Sequence, residues 1–262
     1  MHSWARLANT VLYKDTGNLL EYRQLCNHPK HDKIWIRSFI NKMGHLYQGV
    51  GIGPNGSGQR IEGMDTFFAI NYEKISNDRR NEIPYTSVVC TVWPKKVYNN
   101  RTRITIGGNQ NCYPDDVVTT TTYLEIVKLV VNSVISRRGA CYAKFGIKNF
   151  YPGNLLNRPE YFKIQISGIP QNFIDKYYLE TSTQDGWVYL EIYKEVYGLP
   201  QVRILANNLL RKRFGRARYY EAATTPNFSL NKWRPIQFYL IVNDFSIEYV
   251  EECYAKHFLS AM

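Results

Sequence analysis

Two strand-like runs late in the chain, Ile236 to Val242 and Phe245 to Val250, are separated by only Asn243-Asp244. So short a gap admits one kind of connection, an antiparallel hairpin, because a parallel crossover needs a dozen or more residues. Asn and Asp both tolerate the left-handed backbone that such a turn demands. Any fold for this chain therefore contains antiparallel sheet, and the other segments must be arranged around it.

Ser87 to Trp93 and Thr102 to Ile106 are rich in β-branched residues and predict two more strands, with Pro94 to Asn100 as a basic turn between them. Cys141 to Ile147 predicts a strand running into Asn149, Phe150 and Tyr151. Trp187 to Ile192 alternates apolar Val188, Leu190 and Ile192 with Tyr189 and Glu191, the mark of a half-buried strand. Helical spacing appears at Ile34 to Tyr47, at Ile204 to Phe214 with a stop at Gly215, and at Glu251 to Leu259. A further helix is framed by Thr122 and Glu125 at capping-box spacing, then Ile126, Val127, Val130 and Val134, with Arg137, Arg138 and Gly139 suited to its end. Strands and helices without regular βαβ alternation give an α+β class. The glycine-rich stretch from Gly49 to Gly63 contains Gly51-x-Gly53-x-x-Gly56, the spacing of a dinucleotide fingerprint. A helix precedes it and Pro54 sits inside it, so the stretch reads as a linker.

The chain of 262 residues carries 33 Lys+Arg against 22 Asp+Glu, a net charge of +11. This excess favours polyanionic partners, since each phosphate contact releases counterions, and a solvated basic surface is the plainer alternative. Lys95, Lys96, Arg101 and Arg103 form one run without acids until Asp115. Arg203, Arg211, Lys212, Arg213, Arg216 and Arg218 form a second, ending at Glu221. Trp93, Tyr98, Phe214, Tyr219 and Tyr220 lie among or beside them, and charge for phosphates plus flat faces for bases is what single-strand binding uses. Five widely spaced cysteines without a CxxC pair argue against a disulfide framework. Cys26-x-His28-x-x-His31 has metal-ligand spacing but no evident fourth ligand, so zinc stands against a loop of surface polar residues. No GxSxG, HExxH or Walker sequence supports hydrolase or nucleotide-hydrolysing chemistry. Residues 1–13 lack the apolar centre of a signal peptide, and the apolar stretch from Leu124 to Ile135 is broken by Lys128 and Asn132. The expectation is an intracellular protein, cytoplasmic or nuclear, without a membrane partner.

The order of these segments resembles the reverse transcriptase of copia-type retrotransposon polyproteins. Arg101-Thr102-Arg103-Ile104-Thr105-Ile106-Gly107-Gly108 is similar to the basic fingers strand that meets the incoming triphosphate. Ile147-Lys148-Asn149-Phe150-Tyr151 is similar to the first palm motif, and Tyr197-Gly198-Leu199-Pro200-Gln201 to the segment lining the nucleotide pocket. Leu240-Ile241-Val242-Asn243-Asp244-Phe245 is similar to the palm hairpin that bears paired aspartates. The resemblance runs from about Leu19 onward. It implies a palm, an antiparallel sheet with helices on one face, plus a fingers subdomain, with no thumb following. Residues 1–85 would be an N-terminal extension and part of the fingers, including the linker 49–63, and residues 86–262 the fingers and palm. It implies an RNA template and DNA primer as partners, Mg²⁺ as cofactor, nucleotide contacts from Arg101, Arg103, Tyr151 and Gln201, and nucleic-acid contacts from Lys95, Lys96, Arg211, Lys212 and Arg213.

Nucleotidyl transfer of this kind uses two metal ions held by carboxylates. In the family these come from an aspartate opening the first palm motif and from the hairpin pair. Here the first position is Gly146 and the first hairpin position is Asn243, which leaves Asp244 as the remaining metal-site carboxylate. Arg203 also stands where the family has a small residue, and Asp115 and Asp116 belong to another segment. The expectation is a reverse-transcriptase-like domain that holds Mg²⁺ weakly or not at all and lacks polymerase activity. A non-catalytic basic nucleic-acid-binding protein and a remnant without activity are the two alternatives.

Overall fold

The chain passes between two units at residues 112/113, 150/151 and 200/201, so neither unit is a continuous stretch of sequence. The computed structural model describes residues 10–13, 17–50, 60–96, 98–107, 113–114, 117, 121–241 and 243–262. The fingerprint glycines Gly51, Gly53 and Gly56, and the acids Asp115 and Asp116, lie outside the described residues. Seven α-helices and several antiparallel sheets among the described residues make the fold α+β, as expected. The expected boundary at residue 85 falls inside the first unit and marks no edge of either.

The first unit comprises residues 1–112 and 151–200. A short pairing of β1 (Val11–Leu12) with β2 (Leu19–Leu20) leads into α1 (Tyr22–Cys26) and α2 (Asp32–Leu46). α2 buries Trp35, Phe39, Ile40, Met43 and Leu46, one apolar stripe at helical spacing. β3 (Phe67–Ala69) and the single turn α3 (Asn77–Arg80) follow, then β4 (Thr86–Val92) and β5 (Asn100–Ile106), paired from Thr86↔Ile106 to Val92↔Asn100. The hydroxyl of Ser38 pins α2 to this hairpin, accepting the Thr102 N–H at 3.0 Å and donating to the Asn100 carbonyl at 3.2 Å.

The remaining elements of this unit come after α4 (Leu124–Ser136) and β6 (Cys141–Gly146), which belong to the second. β7 (Leu155–Gln165), α5 (Gln171–Tyr177), β8 (Thr183–Gln184) and β9 (Trp187–Lys194) complete it, with strand order β3-β9-β7 and β8 beside β9. β7 was hidden in the sequence by Arg158-Pro159. The register breaks between Leu155 and Glu160, and an irregular edge strand is where a proline can reside. Glu160, buried in this strand, is held by Arg79 and by Arg158 at 2.8 Å.

The glycine-rich stretch does not act as a linker at its ends. Met64, Asp65 and Thr66 donate their N–H groups to His45, Tyr47 and Leu46, and Arg60 bonds the carbonyls of Gly49 and Gln48. A Cβ on Gly63 would lie 2.4 Å from backbone atoms of residues 47–49, so glycine is required for this closure.

The second unit comprises residues 113–150 and 201–262. It holds α4 (Leu124–Ser136), β6 (Cys141–Gly146), α6 (Val202–Arg216), β10 (Tyr219–Glu221), β11 (Phe228–Asn231), β12 (Ile236–Ile241), β13 (Asp244–Tyr249) and α7 (Glu252–Ala261). The five strands are ordered β10-β11-β12-β13-β6, each pair antiparallel. Phe238 and Phe245 on one face pack against Phe214 of α6 and Phe258 of α7 at centroid distances of 4.7 to 5.8 Å. The other face carries Gln237, Ser246 and Glu248, and α4 reaches it through a hydrogen bond of 2.9 Å from Ser133 to Glu248. Helices therefore contact both faces of the sheet, not one as expected. A buried carboxylate needs donors, and α4 supplies one.

Two local expectations also change. α4 begins at Leu124 without a side-chain cap, because the Thr122 hydroxyl donates to Leu240 at 3.1 Å instead of closing a capping box. α6 continues through Gly215 to Arg216, since nothing there requires a left-handed residue.

Candidate functional site

The turn of the terminal hairpin lies one residue earlier than expected. Ile241 pairs with Asp244, so Asn243 stands in the turn and Asp244 moves into the strand. There Asp244 lies directly across from Gly146, the last pair of the β13–β6 ladder. The Asn243 carbonyl extends the pairing by accepting the Ile147 N–H at 3.2 Å. Remote stretches are thus joined by backbone hydrogen bonds, and Gly146, Asn243 and Asp244 share one end of one sheet.

Side chains at this end are arranged in a way that two magnesium ions could not use. Asp244 Oδ2 lies 3.5 Å from Lys144 Nζ, both side chains about half exposed. Lys144 faces Ser246 across the ladder and so projects from the same face as Asp244. A Cβ on Gly146 would stand 2.9 Å from Asp244 Oδ1, so the aspartate already fills the space that a side chain at 146 would enter. Mg²⁺ takes hard oxygen ligands at near-octahedral geometry. A glycine, a carboxamide and one carboxylate already facing an ammonium do not fit the paired ions implied by the resemblance.

In the first unit two of the four predicted nucleotide contacts, Arg103 and Tyr151, meet around Tyr197, whereas Arg101 lies over Trp93. The Arg103 guanidinium lies 5.8 Å from the Tyr197 ring centroid, and Tyr151 packs edge-on against that ring at 5.0 Å. Gly198 explains the motif physically. Its φ is +108°, and an added Cβ would be 2.2 Å from the Ile106 carbonyl oxygen. Only glycine lets the Tyr197–Gly198 segment lie against the end of β5. Gln201 belongs to the second unit, where it precedes the first turn of α6 and is buried.

The basic runs are unequal. Lys95, Lys96, Arg101 and Arg103 are exposed on the β4–β5 hairpin, and no ion pair neutralises them among the described residues. Trp93, 47% exposed, lies under the Arg101 guanidinium at 5.5 Å, which gives the hairpin a flat face beside its charges. On α6, Arg211 is engaged by Glu221 through two hydrogen bonds of 2.8 and 3.1 Å, and Arg213 donates to the Met262 carbonyl. Lys212 is exposed and has no partner among the described residues. Arg203, Arg216 and Arg218 are likewise exposed and without an ion pair among the described residues, so both runs leave positive charge open.

Two residues with perturbed titration escaped the sequence reading. Glu195, completely buried just before Tyr197, has its carboxyl pushed up to about 7 by loss of solvent, although the Asn154 amide donates to it at 3.0 Å. An acid between Lys194 and Val196 in a motif otherwise apolar was the available signal. Lys42 of α2 is pushed down by burial and then by the like charge of Arg103, so it adds a second cation beside the predicted triphosphate contact. Its neighbour across the fold was not visible in one dimension.

The zinc reading does not take shape. Cys26 turns to Tyr22, while His28 and His31 stack with centroids 4.6 Å apart and Tyr13 packs on both. Among the described residues no group of three or more His, Cys, Asp or Glu is placed to hold a metal ion. None of the helices among these residues is long and apolar enough to cross a membrane. No protein-family model matches the chain, and no curated protein matches it either.

Proposed function

We propose that this chain is a reverse-transcriptase-like domain that binds single-stranded or primed RNA without performing nucleotidyl transfer. The observation that carries the reading is the register of β6 against β13. It brings Gly146 and Asp244, some hundred positions apart in sequence, into direct opposition with Asn243 in the adjoining turn. That is the juxtaposition a palm needs, and two of its three carboxylates are missing from it. Lys144 beside Asp244 supplies positive charge where a polymerase would recruit a cation. The unpaired cations and Trp93 of the β4–β5 hairpin supply what template binding requires.

Primer extension on a primed RNA template, with Mg²⁺ or Mn²⁺, tests the first half. No templated product above background is expected, and extension would overturn the reading. Titration of labelled single-stranded RNA tests the second half. Salt-sensitive binding supports it, and absence of binding leaves a remnant without activity.

A further inference from the structure

We propose that the second unit holds a small-molecule pocket, separate from the Gly146–Asp244 end of the sheet, for a planar ring bearing adjacent hydrogen-bond donor and acceptor groups. The pocket is a cavity of about 210 Å³ between α6 and the strands of the sheet. A buried apolar cavity of about 150 Å³ already admits benzene, so this volume accommodates one ring or a fused pair. Its apolar wall is made by Phe214, Phe238 and Phe245. These rings hold one another at centroid distances of 4.9, 5.8 and 5.7 Å and are further fixed by Phe258, stacked on Phe214 at 5.1 Å. The wall is therefore rigid and flat-sided.

The observation pointing to a ligand is Asn207. It lies on the buried stripe of α6 with Val202, Ala206, Leu210 and Phe214, is nine-tenths buried, and lines the cavity. Its carboxamide has no hydrogen-bond partner among the described residues. Its polar atoms are left to the solvent that enters the cavity, and leucine at this position would have completed an apolar stripe. A carboxamide offers one acceptor and two N–H donors side by side, which pairs with a donor–acceptor edge such as an amide or the N6/N7 edge of a purine. The charged groups at the rim are already occupied. Glu221 takes both hydrogen bonds of Arg211 and the N–H of Asn227, so it is unavailable to a charged ligand and serves to brace the opening. The site therefore selects a neutral ring with an amide-like edge, whose source is a nucleobase or an aromatic amide.

Three probes separate these sources when added to the full chain: adenine, benzamide, and toluene as a ring without a polar edge. Binding is followed by the side-chain NH₂ resonances of Asn207 and by calorimetry. Adenine or benzamide is expected to bind with a dissociation constant of about a millimolar or tighter, as small ligands in such pockets do, and to shift those resonances. Asn207→Leu is expected to weaken that binding at least about tenfold while leaving toluene binding within about threefold. Binding by adenine alone assigns a nucleobase, and by benzamide alone an aromatic amide. Should neither polar probe bind, or should Asn207→Leu leave their affinity unchanged, the proposal fails. Should the variant not fold, the NH₂ shift in the unaltered protein decides alone: a shift with adenine or benzamide but not toluene supports the site, and its absence overturns it.

Discussion

At the scale of single residues, the Gly146–Asp244 pair makes a prediction about metal. In Gly146→Asp with Asn243→Asp, the new carboxylate must displace Asp244 Oδ1, which costs little because it is the end of a side chain. Mn²⁺ affinity should then rise from undetectable to a measurable level, and adding Lys144→Ala should raise it further by removing a competing cation from Asp244. Isothermal calorimetry reads both steps, and an unchanged heat of binding in the triple variant would show that these residues do not face a common space. Glu195 makes a prediction about pH. Its folded carboxyl keeps a proton up to about 7, whereas the unfolded chain releases it near 4.5. The folded state binds more protons within that window, so this group lowers stability progressively as pH rises through it. Glu195→Gln should flatten this contribution and stabilise the protein by about 2–3 kcal/mol above neutral pH, since each tenfold change in proton affinity is worth about 1.4 kcal/mol. Thermal melts on either side of the window give the answer, and a variant that is less stable on the alkaline side refutes it.

At the scale of elements, the β4–β5 hairpin should behave as a binding ribbon. With phosphate contacts from Lys95, Lys96, Arg101 and Arg103, log K for single-stranded RNA should fall against log salt with a slope of about −3. Trp93→Ala should weaken binding by about 1–2 kcal/mol through lost stacking while leaving that slope unchanged. A fluorescence titration in which the slope itself collapses would mean that the variant has disturbed the strands. These strands were legible because β-branched runs bracket a polar turn, and α2 was legible from the spacing of its apolar stripe. The terminal hairpin was legible in kind but not in register. Asn243-Asp244 suits a two-residue turn, yet cross-strand pairing with β6 draws Asp244 into the ladder, and only the third strand decides this. β7 was invisible because Pro159 interrupts its pattern. The Thr122 cap failed because a hydroxyl able to serve a helix end was taken by the Leu240 carbonyl of another element. Sequence patterns report what a segment could satisfy locally, and long-range partners choose among the options.

At the scale of the whole chain, the interleaved units bear on how the protein can be divided. A cut at residue 85, where the sequence becomes easier to read, would remove α2 and β3 from the first unit. Trp35, Phe39, Met43 and Phe67, all fully buried, would leave with them, and β9 would lose the Phe67↔Ile192 pairing on one edge. β5 would lose the Ser38 hydroxyl that anchors Thr102, and with it the support of the strand carrying Arg101 and Arg103. The second unit loses no residue to this cut. A fragment of residues 86–262 should therefore retain the aromatic cluster around Phe214, Phe245 and Phe258 but show no cooperative melting from the first unit's residues. Single-strand RNA affinity should drop with it, because the hairpin keeps its charges but loses the helix that fixes their spacing. Hydrogen exchange resolved by segment would distinguish the cases: protection in β10–β13 with none in β4, β5, β7 and β9 is expected. Full protection across β7 and β9 in the fragment would mean that the first eighty-five residues are an appendage after all, and that the first unit's core lies elsewhere than in α2 and β3.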